Sequence, residues 1–328
     1  MRQIWKGNTM PHQVAHRGIG LFSIVAILAL VGIARAQQPA NPPSVLVEEH
    51  AVRKVSDHVW VIDSKSRGLV PNIGIIVGSR ATLVVDTGMG PRSGEIVMRE
   101  VKRLTDKPNL YLTFTHFHPE HSSGEQGFPA NAIVIYPEAQ QEDINTRLDR
   151  FLTLFSARSA EIKDLLKDVK LRQPDVLFNS EAKIDLGGLT ARLLYFGPGH
   201  THGDTLVYVE EEGVLLPGDI VQSRLFPNIP DNSGSASNWL AMLDKVEALH
   251  PRIIVPDHGE FPGDASLIGK ERGYLSALKA RVIELKKQGK SAEEAGKILT
   301  PEFQAKYSDW GAVPAIAAVT QRFYEELP

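Results

Sequence analysis

Between residues 45 and 87 the apolar positions come in short runs separated by Gly, Ser, Asp or Asn. The runs are Val45-Leu46-Val47, His58-Val59-Trp60-Val61-Ile62, Ile73-Gly74-Ile75-Ile76-Val77 and Thr82-Leu83-Val84-Val85. β-Branched runs bounded by turn formers predict strands. The period then changes: Ile96, Val97, Val101 and Leu104 recur at helical spacing over residues 91–105. Leu110-Tyr111-Leu112-Thr113-Phe114 returns to the strand pattern, and residues 132–136 repeat it. Over 138–170 an apolar stripe of Leu148, Phe151, Leu152, Leu154, Phe155, Ile162, Leu165 and Leu166 predicts one or two helices packed as core or lid. A second β-rich half follows, with runs at 177–178, 182–186, 189–196, 205–209, 213–216 and 253–255. Its helices are expected at 235–249, with Ser235 as N-cap, and at 265–288, 291–299 and 314–327. Two halves, each of strands then helices, predict an α/β protein in which two sheets pack face to face under outer helices.

The first 36 residues stand apart from this pattern. Arg2, Lys6 and Arg17 precede an apolar run from Gly18 to Ala34, and Ala34-Arg35-Ala36 has the small-x-small spacing of a cleavage site. This is the layout of a secretory signal peptide cut after Ala36, with a periplasmic or secreted product. The Pro- and Gln-rich residues 37–44 read as a linker. The expected division is signal 1–36, linker 37–44, a main α/β domain 45–264 with a helical insertion at about 138–170, and a helical extension 265–328 packed on the domain. Removing the signal leaves 32 basic residues against 39 acidic, a balance of −7. That charge argues against a nucleic-acid surface, and no stable membrane span is expected after cleavage. The chain has no cysteine, which excludes disulfides and every thiolate ligand or nucleophile.

The densest chemistry is Thr115-His116-Phe117-His118-Pro119-Glu120-His121, directly after a strand. Pro119 suits the first position of a helix, which would place Glu120 and His121 in its first turn and His116 and His118 in the loop before it. The two pairs would then face one another across a space the size of a metal pair, with donors suited to zinc; a merely His-rich surface turn is the plain alternative. Further polar turns follow strands: Gly197-Pro198-Gly199-His200-Thr201-His202-Gly203-Asp204, Pro217-Gly218-Asp219 and Pro256-Asp257-His258-Gly259. Loops at strand ends present side chains from a fixed frame.

In that order, with Val85-Asp86-Thr87-Gly88 ahead of them, these motifs resemble the metallo-β-lactamase superfamily. The resemblance covers residues 45–259 and implies a four-layer αββα sandwich carrying extra C-terminal helices, with a metal centre at the edge where the sheets meet. Carried over by position, one metal site comprises His116, His118 and His200. A second comprises Glu120, His121 and His258, and Asp219 bridges the two. Asp86 would accept a hydrogen bond from a ligand histidine and set its tautomer. The family usually has Asp where this chain has Glu120. The extra methylene, about 1.5 Å, exceeds the roughly 0.2 Å a metal bond tolerates. Either the backbone retreats, the second metal shifts, or Glu120 orients the attacking water.

The implied enzyme is an exported metal-dependent hydrolase with two Zn2+ ions, iron being an alternative, opening a lactam, lactone, ester or thioester with a hydroxide activated between the metals. Glu120 and Asp219 are the expected catalytic acids, and His202 is a further candidate for pocket lining or proton donation. Its partner is a small-molecule substrate; nothing in the chain speaks to oligomeric state. Where Cys-containing lactamases hold a drug's carboxylate with Lys, this chain has Gln222, with Arg224 as the expected stand-in. Leu225, Phe226, Pro227 and Ile229 are expected to wall the site. Two other classes remain: a mononuclear iron oxygenase of the sulfur dioxygenase branch, which two histidines and a carboxylate would serve, and a non-catalytic exported binding protein.

Overall fold

The computed structural model describes residues 44–328, so the signal and linker expectations lie outside the described residues. Seven strands form the first sheet, in chain order across it: β1 (Val52–Lys54), β2 (Val59–Ile62), β3 (Ile73–Val77), β4 (Ala81–Val85), β5 (Asn109–Thr113), β6 (Ile133–Pro137) and β7 (Val176–Phe178). The first four pair antiparallel, the rest parallel. The second sheet runs β12 (Ile253–Ile254), β11 (Val214–Leu216), β10 (Leu206–Val209), β9 (Thr190–Leu194) and β8 (Glu181–Asp185).

Alternation along the strands builds the layers. Val59, Val61, Ile76, Leu83 and Val85 of the first sheet meet Ile184, Ala191, Leu193, Val207, Val209 and Leu216 of the second in one buried cluster. Residues of opposite parity, such as Ile75, Val84 and Leu112, pack under Val97 and Val101 of α1 (Gly90–Leu104). The outer face of the second sheet is covered by α5 (Ala236–Glu247), α6 (Ser266–Lys287), α7 (Ala292–Lys306) and α8 (Ala315–Glu326), which share one continuous core with Leu194, Leu206 and Leu215. The helices after residue 265 pack on the domain through this core, as the extra C-terminal helices expected of the sandwich. Helices α3 (Glu138–Ser156) and α4 (Ala160–Leu165) pack Leu148, Phe151, Phe155 and Ile162 on Met89 and Phe117.

Some local expectations differ. Residues 45–47 are not a strand; Val47 is buried against the first sheet from a loop, and β1 forms instead at Val52–Lys54. Its exposed Arg53 and Lys54 hide it from a hydrophobic pattern, as charged edge strands do. Helix α7 continues beyond residue 299 through Pro301 to Lys306. The lost amide bond is offset there by ring packing: Phe303 stacks on Tyr307, and Tyr274 meets both edge to face.

Register positions the chemistry. In parallel pairing Val85 lies beside Thr113, so residues 86–88 and 114–116 leave the sheet together. In the second sheet Leu194, Leu206, Leu216 and Ile254 all stand at one edge. The turns after them therefore gather there, bonded to the first half through Thr205 N–H to Thr115 O (2.7 Å) and Asn72 N–H to Asp257 O (2.6 Å).

Candidate metal centre

His116 and His118 leave β5 in the loop before α2 (Pro119–Ser122), whose first position is Pro119; His118 is its N-cap residue but makes no side-chain capping bond. That leaves the imidazole free to turn inward. His116 Nε2 lies 2.9 Å from His118 Nδ1, and His200 Nε2 lies 3.1 Å from the same atom. His121 Nε2 and His258 Nε2 stand 3.3 Å apart, and Glu120 brings an oxygen to them, the three donor atoms lying within 4.8 Å of one another. Asp219 lies between: Oδ2 is 3.5 Å from His200 Nε2 and Oδ1 is 3.8 Å from His258 Nε2. All seven side chains are buried.

Backbone geometry makes these approaches possible. Gly218, at φ +61°, precedes Asp219, and a Cβ there would stand 2.9 Å from Thr115 Cβ. Gly259, at φ +94°, follows His258 and would meet Ser223 O at 2.6 Å. Gln222 Nε2 donates to the Asp219 carbonyl, and Trp239 Nε1 donates to Ile220 O, so the Asp219 turn is tied down from both sides.

The protonation states suit a cation. Burial, then the neighbouring histidines, hold His116 and His118 well below the ordinary histidine pKa, so both are neutral. Burial also lowers His258, outweighing the opposing pull of Asp219. Burial works against an ionised Asp219, yet His258, His200 and His121 prevail and keep it below the usual carboxylate range. Imidazole nitrogens of His116, His118, His200, His121 and His258 crowd to 2.9–3.3 Å of one another. Tetrahedral ligands at zinc bond lengths of 2.0–2.1 Å would stand about 3.3 Å apart. Glu120 Oε2 and Asp219 Oδ1 are buried without a hydrogen-bond partner. The donor set therefore fits a divalent metal in the ligand protonation states such ions require.

Behind His121 stands Asp86, as expected, joined there by Asp257 and Thr115, which the linear motifs do not single out. His121 Nδ1 is 3.0 Å from Asp86 Oδ2 and 3.3 Å from Asp257 Oδ2. The Thr115 hydroxyl is 2.9 Å from Asp86 and 2.7 Å from Asp257. One hydroxyl proton cannot serve both acids. Burial and the neighbouring Asp86 push Asp257 well above the carboxylate range; protonated, it donates to Thr115, which donates to Asp86. Burial opposes a charged His121, yet the two acids outweigh it, raising its pKa and fixing the proton on Nδ1. Asp86 itself is held at φ +68° to reach this position, its carboxylate taking the Thr115 N–H at 2.7 Å. Asp257 was in plain view beside His258, but nothing in a linear motif distinguishes it from a turn former. Likewise His200 Nδ1–H donates to Asn228 O (2.6 Å), leaving Nε2 for the cluster.

Several expected residues take other places. His202 does not join the cluster; its side chain is 33% exposed beside Glu142 of α3. Arg224 turns away to Glu260 and Asp309. Phe226 and Ile229 do not wall the site: both sink into the core under the last helices, Phe226 between Tyr274, Tyr307 and Trp310. The aromatic wall comes from α3 instead, where Phe151 stacks on His118 at 4.5 Å and Phe155 lies 6.4 Å from it.

An αββα sandwich with a buried histidine–carboxylate set at the edge of its sheets defines a class of metal-binding proteins. A sequence profile of the metallo-beta-lactamase superfamily matches residues 66–258, and the chain belongs to that superfamily. It is 24% identical over 216 residues to a linear primary-alkylsulfatase of Pseudomonas sp. (strain ATCC 19151), covering 57% of this chain and 41% of that protein. It is 26% identical over 216 residues to the metallo-beta-lactamase type 2 of Bacteroides fragilis, covering 64% and 78%. With the acyl-coenzyme A thioesterase MBLAC2 of Homo sapiens it shares 26% over 256 residues, covering 70% and 86%. Among solved structures, the sec-alkylsulfatase Pisa1 from Pseudomonas sp. superposes with a TM-score of 0.67 at 15% identity, over 84% of this chain and 50% of that one. The chain thus spans half or less of the alkylsulfatases it matches. By name these relatives are hydrolases with different substrates.

Proposed function

We propose that this protein is an exported zinc-dependent hydrolase with two metal ions, acting on a carbonyl-type ester, thioester, lactone or lactam. The observation that carries the reading is Asp219: its two oxygens face the two halves of one buried ligand set. His116, His118 and His200 would hold one ion, and His121, His258 and Glu120 the other. Zinc so bound supplies Lewis acidity and a water acidic near neutral pH. The chain's own residues do the rest. Asp86, Thr115 and Asp257 keep the His121 proton on Nδ1, and Asn228 O does the same for His200. Phe151 and Phe117 keep water from the flank of His118. The thioesterase and lactamase relatives support a carbonyl substrate; the apolar run before Ala34-Arg35-Ala36 supports export.

Metal analysis of the purified protein, followed by a panel of chromogenic lactam, lactone, ester and thioester substrates, tests this. Two zinc ions per chain, turnover of at least one carbonyl substrate and a mature N-terminus at Gln37 are expected. A single iron ion with oxygen uptake would move the protein to the oxygenase branch.

A further inference from the structure

We infer that Arg158 is the docking point for an anionic group carried by the substrate, away from the bond that is cleaved. The inference rests on the hydrolase reading and names the substrate class within it: an ester or thioester with an acidic group on an apolar spacer.

Arg158 stands in the turn between α3 and α4. Its backbone N–H bonds Phe155 O at 2.9 Å, and its guanidinium lies over the Phe155 ring, 3.9 Å from the centroid. Phe155 in turn lies 6.4 Å from both Phe151 and the His118 ring, and Phe151 stacks on His118. Arg158 is thus one aromatic ring removed from a histidine of the metal centre. Its positive charge acts to lower the pKa of both His118 and Glu120. Stacking on Phe155 holds the planar fork in place and reduces the entropy lost when an oxyanion pairs with it.

Other arginines near this face are already committed. Arg224 pairs with Glu260 and Asp309, Arg147 with Asp143 and Asp231, and Arg150 with Asp231. Among the described residues, Arg158 has no carboxylate within ion-pair distance, although it is exposed. A cation kept in one orientation beside aromatic rings and left without an internal counter-charge is suited to a carboxylate, sulfate or phosphate, which it would take in bidentate fashion. The spacer between that group and the scissile bond would run across the part of α3 that carries Phe151 and Phe155, whose rings are themselves buried.

The test uses the metal-loaded full protein and two matched chromogenic esters: 4-nitrophenyl butyrate, which is neutral, and mono-4-nitrophenyl glutarate, of similar chain length but ending in a carboxylate. Arg158→Ala should raise KM for the glutarate ester about tenfold or more, the worth of a charge-assisted bond, while leaving its kcat and the butyrate kinetics within about twofold. Arg158→Lys should keep part of the preference, and Arg158→Glu should reverse it. Equal losses on both esters, or none, would overturn the role of Arg158 and leave the hydrolase reading standing. A wild type that cleaves neither ester counts against the carbonyl-hydrolase reading instead. Calorimetric binding of 4-nitrobenzoate to metal-free wild type and Arg158→Ala then decides the arginine independently: weaker binding by the variant supports it, and equal binding overturns it.

Discussion

At the scale of single residues, the carboxylate of Asp219 is what turns two groups of histidines into one centre. His200 and His258 come from turns 58 positions apart in the chain, and each faces a different oxygen of that one side chain. Glu120 is the other acid of the set, buried with an oxygen that has no partner. Burial raises its pKa, against the pull of His121, so an uncompensated Glu120 is costly and a cation beside it is favoured. Glu120→Gln is expected to lower metal content from two ions per chain toward one, whereas His202→Ala should leave both ions in place, because His202 stands outside the cluster beside Glu142. Elemental analysis of both variants checks this; unchanged stoichiometry in the Gln variant would remove Glu120 from the ligand set. The histidines and acids at strand-end turns were legible because residue type, Gly neighbours and order all point the same way. Asp257, Phe151 and Arg158 were not, since their importance lies in what they touch across the fold.

At the scale of elements, α6 carries an acid where a helix core normally has none. Glu271 is buried beneath the loop after Asp219, with both oxygens lacking hydrogen-bond partners. Burial pushes its pKa well above the ordinary value of 4.5, outweighing the nearby Gln222 N–H, which approaches without forming a hydrogen bond. The sign follows from linkage. Below about pH 4.5 both folded and unfolded chains hold the proton. As pH rises, the unfolded chain releases it and the folded chain keeps it, so the wild type loses stability through neutral pH. Glu271→Gln has no such loss. Chemical denaturation should find the variant gaining on wild type as pH rises above about 4.5, by at most about 1.4 kcal/mol for each pH unit. Parallel stability curves from pH 5 to 8 would refute it. Elements themselves were readable where period was strong, as in α1 and α5. They were misplaced where charge hid an edge strand (β1) or ring packing carried a helix through proline (α7).

For the whole molecule, the centre closes the gap between two sheets that otherwise meet through apolar side chains. Taking metal away would leave crowded neutral imidazoles and a buried Asp219 uncompensated. Chelation is therefore expected to lower the unfolding temperature at pH 8 by about 5 °C or more, by mass action on the folded state. In the metal-free protein His116, His118 and His258 have depressed pKa values, so their contribution is present above about pH 6.5 and is lost as pH falls, when the unfolded chain takes up protons first. Scanning calorimetry with and without chelator at pH 8 and pH 5.5 should show instability in acid and a smaller benefit from metal there. An unfolding temperature indifferent to chelator would mean that no ion is held.

The amino-acid order alone determined the layers, the strand-end turns and the types of ligand, because periodicity and turn chemistry are local and are written residue by residue. Only the tertiary structure decided which turns share an edge, that Asp257 and Thr115 back His121, that α3 rather than the 222–234 loop supplies the aromatic wall, and that Arg224 is paired while Arg158 is free among the described residues. Those are outcomes of register and of packing between residues far apart in the chain, and no linear pattern records a distance across a fold.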